Sequence, residues 1–146
     1  MTLYETDWYA WTQEQAALLR AGAVEQLDLP NLAEEVQDLG ITLAYVVSSD
    51  LAQVLLHLLK WWYQPSLRAQ GPSWQETIGE HRDRLERLCA RKPSLREQLP
   101  AMLVEEYPRA CRRATLQTGL VLAAFPAQCP WELAQVLDVD FWPDAL

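Results

Sequence analysis

The two histidines, His57 and His81, and the acids Glu34, Glu35 and Asp38 are the residues of this chain best suited to metal chemistry. Helical bundles build metal centres from inward Glu and His, commonly as Glu-x-x-His pairs on one helix. Here Val54 stands three residues before His57, and Ile78 three before His81, so neither pair forms. The H-E-x-x-H spacing of zinc hydrolases is absent as well. What remains is a single mixed site, with Glu34 or Glu35 joining His57 and His81 if their helices face each other. The structural alternative gives His81 to the core and the two glutamates to a helix start.

Acid–base chemistry has a second candidate. His57, Lys60 and Trp61 share a side of one helix, with Asp50 two turns earlier. A histidine beside an aromatic ring and a lysine, at the mouth of a pocket, has a shifted pKa. In the competing reading His57 and Lys60 line the polar edge of a buried helix, and the lysine stem covers apolar surface. Trp61, Trp62, Tyr63 and Trp74 flank the loop 64–73, where they either floor a ligand pocket or seal one end of a bundle. His57, Lys60, Trp61 and Trp74 are therefore the candidate pocket or partner patch. Nucleophilic catalysis has no support: there is no G-x-S-x-G and no Gly-rich phosphate loop. Cys89 and Cys111 read as core thiols. No complete motif implies a cofactor.

The elements that must position these residues are all helical by pattern. Leu51, Leu55, Leu58 and Trp62 form one stripe, widened by Ala44, Leu56, Leu59 and Tyr63 until the helix is apolar over most of its circumference. The steps of three and four extend back through Val47, Leu43, Leu39, Val36 and Leu32, so one central helix is predicted over about 31–63, ended by Pro65. It overrides the strand propensity of Ile41–Val47 and either winds its apolar face round neighbours or kinks near Gly40. Its start is a capping box of Asn31 with Glu34, or alternatively Asp28 with Pro30.

Asp7 or Thr6 caps a first helix that ends at Gly22. A Ser73/Glu76 capping box opens a helix to about Lys92, with Trp74, Ile78, His81, Leu85 and Leu88 inward. Its pairs Glu80–Arg84 and Asp83–Arg87 are expected on the outside. Pro93 stops it. A Ser94/Glu97 box, a helix from near Pro100 with a kink at Pro108, a C-cap at Gly119 and a short helix over 131–137 follow. Phe141 and Trp142 are expected to pack back on the body. On the helical wheel Trp62 is predicted to be buried against the Trp74 helix or the first helix, with Trp61 more exposed.

The chain has 146 residues, half of them hydrophobic, with seven tryptophans. That suits one folded domain over 1–146 and argues against disorder. The longest apolar runs, Val54–Leu59 and Leu120–Phe125, fall short of a membrane span, and the first residues lack the basic region of a signal peptide. Three cysteines without a C-x-x-C pair read as reduced thiols in a cytoplasmic protein.

The formal charge of −8 is uneven. Nine acids against one arginine in residues 1–59 give −8, while eleven basic against seven acidic groups in 60–118 give +4. Such halves can face each other within the chain or across a homo-oligomer. The basic candidates Arg82, Arg84, Arg87, Arg91, Lys92, Arg109, Arg112 and Arg113 are diluted by Glu80, Asp83 and Glu86, which disfavours nucleic-acid binding and favours a solvated, salt-bridged face.

Tyr4-x-x-Asp7 with Trp11, the segment Asn31-Leu-Ala-Glu-Glu-Val-Gln-Asp-Leu-Gly40, and His57-Leu-Leu-Lys-Trp-Trp-Tyr-Gln-Pro65 together resemble the domain-of-unknown-function 29 family. Trp74-x-x-Thr-Ile78 and the ending from Phe125-Pro126 through Cys129-Pro130 to Phe141-x-Pro143 fit it too, so the resemblance spans Tyr4 to Pro143. It implies a compact all-helical bacterial protein, common in cyanobacteria, in a cytoplasmic setting, and it implies no activity.

The sequence thus predicts an all-α helical bundle of four to five main helices, one long and central, with a short C-terminal helix. As function it predicts a non-catalytic cytoplasmic protein that binds a protein partner or small ligand, with no membrane role. The alternative is an enzyme or metalloprotein built around His57, Glu34, Glu35 and His81.

Overall fold

The structure, a computed structural model, describes residues 1–69 and 73–144. It is an all-α bundle, with no strand among the described residues. In order the helices are α1 (Leu3–Thr6), α2 (Trp8–Ala21), α3 (Leu29–Tyr63), α4 (Ser73–Cys89), α5 (Pro93–Arg96), α6 (Leu99–Thr118) and α7 (Leu133–Leu137). The chain divides into two compact units, Met1–Thr42 and Leu43–Leu146, and α3 supplies residues to both.

In the first unit, caps and polar bonds set the helix ends. Thr2 and Glu5 cap α1 reciprocally, an element the sequence pattern did not foretell. Asp7 caps α2 by accepting from the Ala10 N–H at 3.0 Å, and Gly22 closes it in the left-handed region at φ 69°. Of the two predicted starts for α3, the earlier one forms. Asp28 accepts from the Asn31 backbone N–H at 3.4 Å and from its side-chain amide at 2.8 Å. Trp11 Nε1 donates to the same carboxylate at 3.1 Å, and the Asp28 N–H donates to Gln15 Oε1 at 2.8 Å. Trp11 and Gln15 are the only buried side chains described in this unit.

The second unit holds the hydrophobic core. Val47, Leu51, Leu55 and Leu58 of α3 are fully buried with Ile78 and Leu85 of α4 and Leu99, Tyr107 and Ala110 of α6. The apolar stripe of α3 therefore does two different things. From Val47 on it makes the core, whereas Val36 and Leu39 in the first unit are 66% and 71% exposed. Gly40 lies inside the continuous helix, where an added Cβ would meet nothing within 4 Å. By length and composition alone α3 could cross a membrane, a test that the core helix of a water-soluble bundle also passes.

Several boundaries differ from the sequence reading. The capping box at Ser73 and Glu76 lies outside the described residues. Helix α4 ends at Cys89, before Lys92, because Arg91 turns the chain in the left-handed region at φ 58°. Pro93 opens α5 as its first residue, Lys92 occupies the cap position, and no side chain caps the helix, so the Ser94/Glu97 box does not form. Pro100 sits in the first turn of α6 and Pro108 within it, on an exposed face where water can reach the carbonyl that proline leaves without a donor. Gly119 caps α6 at φ 75°. Helix α7 begins at Leu133, later than expected, where Gln135 Oε1 accepts from the Glu132 N–H at 2.9 Å.

The C-terminal segment packs against the core as expected, held by a residue read from sequence as exposed. Arg82 is buried at 2% exposure. Its Nε donates to the Val136 carbonyl at 2.8 Å, its Nη2 to that of Phe141 at 3.1 Å, and its guanidinium lies 5.3 Å from the Trp142 ring. Trp142 in turn covers Trp61 at 4.9 Å between ring centroids, and Arg68 lies 4.7 Å from the Trp61 ring. Trp61 and Trp62 are consequently both half-buried, and the predicted contrast between them is not found. The aromatic partner of Trp62 across the fold is Trp131, at 5.6 Å, in the C-terminal segment.

Candidate functional site

Asp50, Gln53, His57 and Lys60 follow one another on α3 at steps of three, four and three, which places them on one face. This polar stripe runs along a helix whose other faces are core. Asp50 bonds to His81 and Arg84 of α4, and Gln53 and Lys60 bond to Arg113 and Gln117 of α6, so the stripe is bordered by polar side chains of both helices. Polar groups in such a setting are informative, because burial without partners is costly.

Asp50 is 3% exposed, and both its oxygens turn to α4. His81 Nδ1 stands 2.7 Å from Oδ1, and Arg84 Nε stands 3.3 Å from Oδ2. The first contact is a hydrogen bond. The second is an ion pair without hydrogen-bond alignment, which leaves Oδ2 buried and otherwise unsatisfied. Arg84 thus serves Asp50 in place of the surface partner Glu80. A carboxylate only accepts, so the His81 Nδ1–H donates to Asp50 and Nε2 is the ring nitrogen left without a partner. His57 is set the same way by its own helix: its Nδ1–H donates to the Gln53 carbonyl at 2.8 Å. Among the described residues neither Nε2 has a hydrogen-bond partner.

On the α6 side the groove is cationic. With its amide oriented to satisfy both ends, Gln53 accepts from Arg113 Nη1 and Nη2 at 3.2 Å each. Lys60 Nζ donates to Gln117 Oε1 at 3.0 Å and lies 5.1 Å from the Trp74 ring. Burial pulls the His57 pKa down; the Gln53 carbonyl opposes this, and the nearby charges of Lys60, His81 and Arg113 add to it. Burial lowers the Lys60 ammonium as well. Lys60, Arg84 and Arg113 outnumber the single carboxylate of Asp50.

His57, Lys60 and Trp74 share this groove, while Trp61 packs with Trp142 and Arg68. The four metal candidates divide between the units: Glu34 and Glu35 belong to the first, His57 and His81 to the second. Glu35 Oε1 accepts from Tyr4 Oη and Trp8 Nε1, both at 2.8 Å, and so ties α1 and α2 to the start of α3. Among the described residues no three His, Cys, Asp or Glu gather as metal ligands.

A family model for a domain of unknown function, DUF29, matches residues 3–142. The chain belongs to the DUF29 family. The match takes in both units and every residue of the polar groove. The DUF29 chain matches neither a curated protein nor a solved structure. Family membership carries no activity, so the chemistry must be read from the groove itself.

Sequence reasoning noted Asp50, gave Arg113 to a solvated basic face, and missed Gln53 and Gln117. Four polar residues at helical spacing inside an apolar helix was the available signal for the α3 stripe. The α6 partners had none, since Arg113 and Gln117 are exposed and look like ordinary surface residues.

Proposed function

We propose that the groove floored by Asp50, Gln53, His57 and Lys60 binds a small oxyanion that also carries a donatable proton, as a phosphate monoester does. The observation that carries this reading is the pair of imidazoles fixed through Nδ1, each with Nε2 free, beside Lys60 and Arg113. The cations take the charged oxygens, and an Nε2 lone pair takes the ligand's proton. Hydrogen bonds with an ionised partner are the stronger kind, so a few such contacts suffice for a small ligand. The half-buried Trp74 ring flanks the site at Lys60. Three free cysteines suit a reducing, cytoplasmic setting, which belongs to the same proposal.

A second reading rests on the Asp50–His81 bond. A carboxylate that fixes an imidazole at Nδ1 leaves Nε2 positioned as a general base, so an acid–base enzyme would use the same groove.

Titration calorimetry with phenyl phosphate, and with phenol as the control lacking the oxyanion, tests the binding claim. Phenyl phosphate should bind saturably and phenol should not, and Arg113→Gln or Lys60→Gln should weaken binding about tenfold, or about 1.4 kcal/mol. Equal affinity in these variants, or no binding at all, would contradict it. Release of phenol from the ester during the titration would favour the enzyme.

A further inference from the structure

The first unit has an apolar surface that it does not cover. Trp8, Trp11, Ala16 and Leu19 of α2 and Val36 and Leu39 of α3 line a groove of about 280 Å³. Leu19 is 54% exposed, and Val36 and Leu39 are more exposed still. Singly exposed apolar residues are ordinary, but a contiguous run of them along two helices marks an interaction surface. The same unit is strongly acidic. Eight acids against the single Arg20 give its residues 1–42 a formal charge of −7.

Charge selects among the occupants of an apolar groove. A second copy of this face would bring two −7 surfaces together, and anionic lipid headgroups would be repelled in the same way. A basic partner would be attracted. The groove lies between helices and follows α2, whose 14 residues span about 21 Å. An amphipathic helix of that length matches it, laying apolar residues at i, i+3, i+4 and i+7 into the groove with lysines or arginines at its flanks. We infer that the acidic, apolar α2–α3 face of the first unit docks a basic amphipathic helix of another protein. This is independent of the oxyanion groove, with which it shares no residue.

The test uses the full chain and three labelled peptides of about 14 residues: an amphipathic Leu/Lys helix, a scramble of the same composition, and the Leu/Glu counterpart. By fluorescence anisotropy the amphipathic Leu/Lys peptide should bind saturably, at least about tenfold tighter than either control. Raising salt from about 50 to 500 mM should weaken it, because the charged flanks are screened. Leu39→Lys should abolish binding with an unchanged far-UV spectrum, since this side chain is exposed and outside any core. Equal binding of the scramble would reduce the effect to net charge and overturn the inference. So would full binding to the Leu39→Lys variant, or no binding to the wild type. Light scattering supplies the remaining outcome: a dimer of the wild type that Leu39→Lys dissociates would assign the face to a second copy and overturn it as well.

Discussion

Asp50 is the residue on which the polar groove turns. A buried ion pair is weak support for stability, because desolvation offsets much of the attraction. Its neighbours are not deeply enclosed: the His81 side chain is 20% exposed and that of Arg84 49%. Asp50→Asn keeps the shape and one hydrogen bond, so the unfolding free energy from urea melts should change by no more than about 1 kcal/mol. Binding of phenyl phosphate should nevertheless fall sharply, because the Asn amide can donate to Nδ1 and move the His81 proton to Nε2. Equal loss of stability and binding would make Asp50 a structural residue.

His57 gives a pH signature of its own. Its folded pKa lies below the ordinary imidazole value of 6.5, chiefly through burial. The unfolded chain then binds the proton more readily than the folded one, so this residue costs stability as pH falls below 6.5 and nothing above it. His57→Gln should flatten the loss of urea stability between about pH 7.5 and 5.5. An unchanged slope in the variant would remove His57 from the account.

Among the elements, α4 ties the last part of the C-terminal segment to the core through Arg82. Arg82→Leu deletes charge-assisted bonds to the Val136 and Phe141 carbonyls, and should cost about 1.5–3 kcal/mol. Proteolysis in native conditions should then cut earlier near the C-terminus. Arg82→Lys should not restore resistance, because an ammonium lacks the planar fork. This contact was hidden in the sequence, where Arg82 is one of nine arginines in residues 60–118. Helix periodicity did reveal α2, α3, α4 and α6, and left-handed glycines marked their ends at Gly22 and Gly119. Proline placement was less readable, since Pro93 begins a helix where it looked like a stop, and only the backbone turn at Arg91 decides between the two.

At the scale of the whole molecule, hydrophobic pattern alone did not distinguish core from open surface. Leu39 and Leu55 both belong to the same run of three- and four-residue apolar steps along α3, yet one is 71% exposed and the other fully buried. Periodicity reports which face is apolar and says nothing of what covers it. The division into two units follows from that difference. Amide exchange should be faster in α2, where Trp11 and Gln15 are the only buried side chains, than in α3 from Val47 to Leu59. Equal protection in both would show that the first unit is held as firmly as the core.

The central claim, that the polar groove takes a proton-bearing oxyanion between its two imidazoles and its cations, is tested most directly by long-range ¹H–¹⁵N spectra of the histidine rings. At about pH 7.5 the His57 Nε2 should carry the shift of a nitrogen without a proton. Phenyl phosphate up to about 10 mM, added at about pH 5.5 where most of the monoester keeps its proton because its second pKa is about 6, should move the Nε2 signals of His57 and His81 saturably, with both Nδ1 protons retained. Imidazole signals that stay fixed throughout the titration, or that show His57 protonated at Nε2 in the free protein, would contradict the account.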